Sequence, residues 1–229
     1  MIQKDLYTYI TNACPSDLLE PISSLSKSTK GKALVNDSRR LYNFDKMTER
    51  AYNNIKVPAS ADSLLVTDKI VLLTEFKSGF KRKISKETIN YSKLTCPDDA
   101  TKVCKDYGNL LISKGKLETS ELLDSIKFKA IESYVTLEKK FFPLCRTLSD
   151  NYKLRIIFCV VIDDYVDNME ESLLELSNVS SSSNTFTNIK SSLSRFVNMK
   201  TQTGEDFYYD EIKVLSPYEY QQYLHSYIA

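Results

Sequence analysis

Two largely apolar runs separated by a polar pair stand out early in the chain: ADSLLVT at residues 61–67 and IVLLTEFK at 70–77, with Asp68 and Lys69 between them. That pattern predicts two strands joined by a tight turn. A third run, KLRIIFCVVID at 153–163, has the length and β-branched content of a buried strand. Between them lies SELLDSIKFKAIESYVTLEKKFF, residues 120–142. It sets Leu123, Ile126, Ala130, Ile131, Tyr134, Leu137 and Phe141 at helical spacing. Ser120 is the expected cap of this helix, and Pro143 its expected end.

The flanking segments are less regular. QKDLYTYITNA and PSDLLEPISSLSKS predict a helical extension over about residues 1–39, with Pro15 near a helix start. A first strand is expected in either RLYNFD or AYNNIKV. Residues 80–120 are polar and predict a loop-rich insertion with short helices. The Ser-rich stretch 177–188 predicts a loop, FYYDEIKVLS an edge strand, and PYEYQQYLHSY a short helix. A hairpin joined through a helix to a further strand makes an α/β fold with a mixed central β-sheet flanked by helices. One domain over residues 1–229 accommodates all of it.

Three charges interrupt the apolar hairpin. If Asp68 and Lys69 form the turn, Thr67 pairs with Ile70 and Val66 with Val71. Counting outward, Asp62 then stands opposite Glu75. Directly opposed residues share a face, with Cβ atoms roughly 4.5–5.5 Å apart, and Lys77 falls on that face as well. A three-residue loop would break this register. Two facing carboxylates repel unless a cation sits with them, and Asp68, at the turn, is too far from Glu75 to be the partner. A lysine supplies part of that charge. Mg²⁺ or Mn²⁺, held by one or two carboxylates with waters and phosphate, would supply the rest. The plain alternative is a salt bridge at the strand ends.

An acidic residue closing one strand and E-x-K on the next resembles the PD-(D/E)XK nuclease superfamily, the restriction-endonuclease-like fold. The motif stands here as Ala61-Asp62 and Glu75-Phe76-Lys77, with alanine in place of a dispensable proline. The resemblance covers about residues 45–163. It implies that Asp62, Glu75 and the backbone carbonyl of Phe76 ligate Mg²⁺ or Mn²⁺, while Lys77 serves the attacking water. It also suggests an acidic residue from the first helix, where Glu20, Asp45 and Glu49 all qualify. A polar or basic residue is suggested from the later helix, where Lys127 is preferred on the inward stripe and Lys129 is expected to be solvated.

Composition narrows the function classes. The chain has 229 residues, 42% hydrophobic and 27% charged, and no run near the roughly 18 apolar residues a membrane span needs. No apolar signal core opens it, so a cytoplasmic location without a membrane is expected. The five cysteines are scattered without a CxxC pair, which argues against a zinc or iron–sulfur site. Cys159 is expected to be a core filler. His225 is the only histidine and belongs to no catalytic motif. No phosphate-binding glycine loop occurs.

With a net charge of +1, nucleic-acid binding would need a local patch. Lys81, Arg82 and Lys83, just after the E-x-K strand, supply a candidate, joined by Lys127. The leading expectation is therefore a metal-dependent nuclease hydrolysing phosphodiester bonds, with DNA the favoured substrate. Defence, restriction, repair and mobile-element systems are the settings the resemblance implies. Duplex cleavage would call for a homodimer, a partner subunit or two successive nicks. The competing expectations are a nuclease-like fold without catalysis, acting as a binding or regulatory module, and an interaction protein using its fifteen tyrosines.

Overall fold

Side chains along a strand alternate between two faces, and the apolar strands of this chain are covered on both. In the computed structural model a six-stranded mixed sheet runs in chain order. Its strands are β1 (Leu19–Pro21), β2 (Arg40–Asn43), β3 (Ser63–Val66), β4 (Val71–Lys77), β5 (Ile156–Ile162) and β6 (Glu211–Leu215). Among the described residues, the α-helices whose bounds are defined are α1 (Ile22–Leu25), α2 (Phe44–Ala51), α3 (Thr101–Thr136) and α4 (Pro217–His225). The structure describes residues 10, 16–28, 31–67, 69–78, 101–144, 155–163, 191–192, 195 and 208–228, with 101–119 described chiefly by their backbone. The N-terminal segment QKDLYTYITNA (except Ile10), Asp68, the basic cluster Lys81, Arg82 and Lys83, and the Ser-rich stretch 177–188 lie outside the described residues.

Strands β1 to β4 are antiparallel neighbours, while β4, β5 and β6 run parallel. This is the mixed α/β arrangement expected from the order of the runs. Every residue of β5 is buried, as a central parallel strand covered on both faces must be. On one face Leu64, Val66, Val71, Leu73, Phe158 and Val160 pack with Ile126, Ala130 and Leu137 of α3 and its continuation and with Phe44 and Met47 of α2. On the other, Leu65, Leu72, Phe76, Ile157 and Val161 pack with Tyr220 and Leu224 of α4.

Local signals explain most boundaries. Asn43 caps α2 by accepting the Lys46 N–H at 2.9 Å. Ser216 and Glu219 form a capping box at α4, with Pro217 in its first turn. At the β3–β4 turn, Thr67 donates its N–H to the Ile70 carbonyl, and its hydroxyl oxygen accepts from Lys69 and Ile70. The hairpin register is Ser63 opposite Thr74 and Val66 opposite Val71, as counted from the turn.

Several expectations need correction. Residues 16–25 are not one helix but a single 3₁₀ turn, the edge strand β1 and a one-turn helix. Pro21 ends that strand and, extended at φ −63° and ψ 144°, leads into α1. The first strand within 40–57 is RLYN. AYNNIKV instead forms a turn with Asn53, Asn54 and Lys56 at positive φ, backbone that no strand accepts. The long helix begins at Thr101 rather than at a Ser120 cap, and runs 36 residues. It passes into a π-helical turn, Leu137–Phe141, and a 3₁₀ turn holding Pro143.

Candidate active site

Glu75 lies near the end of β4, two residues before Lys77, on the face that α3 covers, and its side chain is 0% exposed. Asp62 leads into β3 directly opposite. Its Oδ2 accepts the Phe76 N–H at 2.6 Å, and its own carbonyl accepts the Phe44 N–H at 3.2 Å. Hairpin register and the start of α2 therefore fix the first carboxylate. Thr74 and Phe76 back β4 from the opposite face, where Tyr220 bonds to the Thr74 hydroxyl at 3.0 Å and packs edge-on against Phe76.

Two ammonium groups meet the carboxylates. Lys77 Nζ lies 2.8 Å from Glu75 Oε1. Lys129 Nζ, from α3, donates to Asp62 Oδ1 at 3.0 Å and to Glu75 Oε2 at 2.9 Å. One cation thus bridges the two opposed residues. Lys127, the lysine expected on the inward stripe, pairs instead with Asp124 one turn back, at 3.0 Å. The two lysines exchange places relative to expectation because Ile131, which the apolar stripe includes, is only half-buried. The described residues buried along this helix and its continuation are Ile126, Ala130, Ser133, Thr136, Leu137 and Phe141, and Lys129 sits beside them, three residues after Ile126 and four before Ser133.

The same helix face holds the chain entering β3. The Ala61 N–H donates to Ser133 Oγ at 2.8 Å, and the Ala59 N–H donates to Glu132 Oε2. Lys129, Glu132 and Ser133, at helical i, i+3 and i+4 spacing, clamp residues 59–62 in place. Tyr209 pins α3 to the sheet nearby, its hydroxyl donating to the Ala130 carbonyl at 2.5 Å.

Among the first-helix candidates, the structure brings Asp45 to the site. It accepts from the Ser60 hydroxyl and lies near enough to Lys129 and Asp62 for their charges to act on it. Burial pushes its pKa up, against the pull of Ser60 and Lys129. Glu20 is engaged elsewhere, with Asn43 and Lys46 at the β1 edge. Glu49 is exposed.

Burial, reinforced by Asp62, raises Glu75 to about 7 in spite of Lys129 and Lys77. Burial also works against the Lys129 ammonium, but Glu75 and Asp62 outweigh it and hold that pKa above the ordinary lysine value. Burial decides for the carboxylate, because Glu75 is fully enclosed beside a second acid, while Lys129 keeps about a fifth of its side chain in solvent.

Among the described residues, no group of three or more His, Cys, Asp or Glu side chains forms a metal site by itself. Mg²⁺, however, is commonly held by one or two carboxylates, the remaining positions going to water and phosphate. Asp62 and Glu75 meet that count with hard oxygen donors. The Phe76 carbonyl belongs to the same short stretch of strand as the N–H that meets Asp62. Buried Glu75 Oε1 has no well-directed hydrogen bond despite the closeness of Lys77, so it retains acceptor capacity. The donor set fits a divalent cation.

Cys159 is a buried core filler, its thiol pushed up by burial. No helix among the described residues is long and apolar enough to cross a membrane. Comparison of the chain with protein-family models, curated proteins and solved structures gives no match.

Proposed function

We propose that this chain is a metal-dependent nuclease of the PD-(D/E)XK kind, hydrolysing phosphodiester bonds in nucleic acid, with DNA the favoured substrate. The observation that carries the reading is the meeting of Asp62, Glu75 and Lys77 on one face at the end of the β3–β4 hairpin. Asp45 and Lys129 join them from two flanking helices. Asp62, Glu75 and the Phe76 carbonyl would hold Mg²⁺ or Mn²⁺. Such an ion neutralises charge on a phosphoryl group and makes water a better nucleophile. Lys77, partly exposed beside Glu75, would orient that water. Lys81, Arg82 and Lys83 follow the site in sequence and would contact phosphates, with Lys127 further along α3.

The restriction-endonuclease-like fold belongs to the same reading. Its support is the antiparallel β3–β4 hairpin, the α3 crossover and β5 parallel to β4. A second reading has one observation in its favour. Lys129 already pairs with one oxygen of each carboxylate, as it would in a nuclease-like module without catalysis. Incubating the purified chain with single- and double-stranded DNA and RNA separates the two. The nuclease reading expects degradation with Mg²⁺ or Mn²⁺ that EDTA stops. An intact panel with either metal would favour the module.

A further inference from the structure

Lys129 occupies the ground that a divalent cation would need. Its ammonium lies 3.0 Å from Asp62 Oδ1 and 2.9 Å from Glu75 Oε2. Two cations placed together between one pair of carboxylates repel, and each lowers the occupancy of the other. We propose that Lys129 is an internal competitor for the metal: it closes the Asp62–Glu75 pair in the metal-free protein and leaves when a divalent cation binds. This rests on reading Asp62 and Glu75 as metal ligands.

The surroundings suit an exchange of this kind. The backbone of α3 is held by its neighbours, since Glu132 and Ser133 bond to the chain at Ala59 and Ala61. Movement is therefore left to the Lys129 side chain, a flexible stem carrying a compact charge. That side chain is 21% exposed, so a path to solvent exists. Asp45 lies near enough for its charge to act on Lys129, and offers the displaced ammonium a partner close by. Glu75 is not stripped of its counter-charge meanwhile, because Lys77 approaches its other oxygen at 2.8 Å. An arginine, planar and bidentate, would be harder to dislodge from two carboxylates.

The competition has a stability side as well. The metal-free fold keeps two opposed acids together because a resident cation neutralises them. Without that cation the pair would be repulsive, yet more receptive to a metal ion.

The test is a Mn²⁺ titration of the full chain, read from the signal of free Mn²⁺ by electron paramagnetic resonance. Wild type is compared with Lys129→Met, with Glu75→Gln as the ligand-deficient reference. Lys129→Met is expected to bind Mn²⁺ about tenfold more tightly than wild type, within the usual range for coupled sites. Equal or weaker binding by a folded Lys129→Met would overturn the competition while leaving the metal ligands in place. A second measurement uses wild type alone and so does not depend on the variant folding. Acetylation of Lys129, followed by mass spectrometry, is expected to be slow without metal and several-fold faster at saturating Mg²⁺. An unchanged rate under metal that demonstrably binds would overturn the competition. Failure of both wild type and Lys129→Met to bind Mn²⁺ more tightly than Glu75→Gln would overturn it together with the metal site.

Discussion

Glu75 is a carboxyl group that folding encloses completely, beside a second acid and two ammonium groups. Held at about 7 when folded against 4.5 in a free chain, it binds a proton more tightly in the native state. The stability this proton supplies is complete below about pH 4.5, and is lost as pH rises through about 7. An ionised Glu75 should then cost folding about 3 kcal/mol in metal-free protein. Chemical denaturation from pH 4 to 8 should show that decline, and Glu75→Gln should flatten it. A slope identical in the two proteins would mean Glu75 is not the titrating group. Lys77 sits at the edge of the same cluster, 20% exposed. Lys77→Ala opens no buried cavity and should keep the melting temperature within a few degrees while abolishing cleavage. Wild-type turnover in a folded Lys77→Ala would reduce this lysine to a strand-end salt bridge.

At the scale of elements, the site depends on α3 gripping the lead-in to β3. Ser133 is buried and accepts the Ala61 N–H. Ser133→Ala leaves that donor without its partner, at a cost of roughly 1–3 kcal/mol. It should also loosen Asp62, next along the chain, and lower metal affinity. A variant that loses stability but binds Mn²⁺ as wild type does would show that the clamp is structural only.

The hairpin is legible in the sequence because its turn is short and both strands are apolar, leaving one register that buries them. The candidate site residues drawn from one hairpin are therefore visible, while those from separate elements are not. Nothing local chooses Asp45 over Glu20 or Glu49, since that choice is made by where α2 lies against β3. Lys129 is hidden because Ser133 and Thr136, both buried, break the apolar stripe. A stripe drawn through Ile126, Ala130 and Leu137 alone puts Lys129 at its border. The first half of α3 is obscured by Gly108 and Gly115 inside it, each costing a helix about 1 kcal/mol relative to alanine. The edge strand β1 has three residues, too few for any period to show.

For the whole molecule, a near-neutral net charge of +1 makes general attraction to nucleic acid weak. Binding would then depend on local cations, and Lys81, Arg82 and Lys83, four to six residues after Lys77 in the sequence, are the proposed ones. Replacing all three with alanine should weaken binding and flatten its salt dependence, by about one unit of slope for each phosphate no longer neutralised. An unchanged slope would assign the cluster to solvent.

On the proposed function, the opposed carboxylates at the end of the β3–β4 hairpin hold a metal for phosphodiester cleavage. Asp62→Asn removes one of the two without removing its backbone contact. Asparagine can still accept the Phe76 N–H, so the hairpin should hold, but it gives up the charge that a metal ion needs. The decisive measurement is the rate of Mg²⁺- or Mn²⁺-dependent nucleic-acid cleavage by wild type and Asp62→Asn, prepared identically and matched for melting behaviour. Wild type should cleave, and the variant should lose at least about a hundredfold, on the scale of losing a group that stabilises transition-state charge. Equal rates in the two proteins, or none in wild type with either metal, would contradict the proposed function.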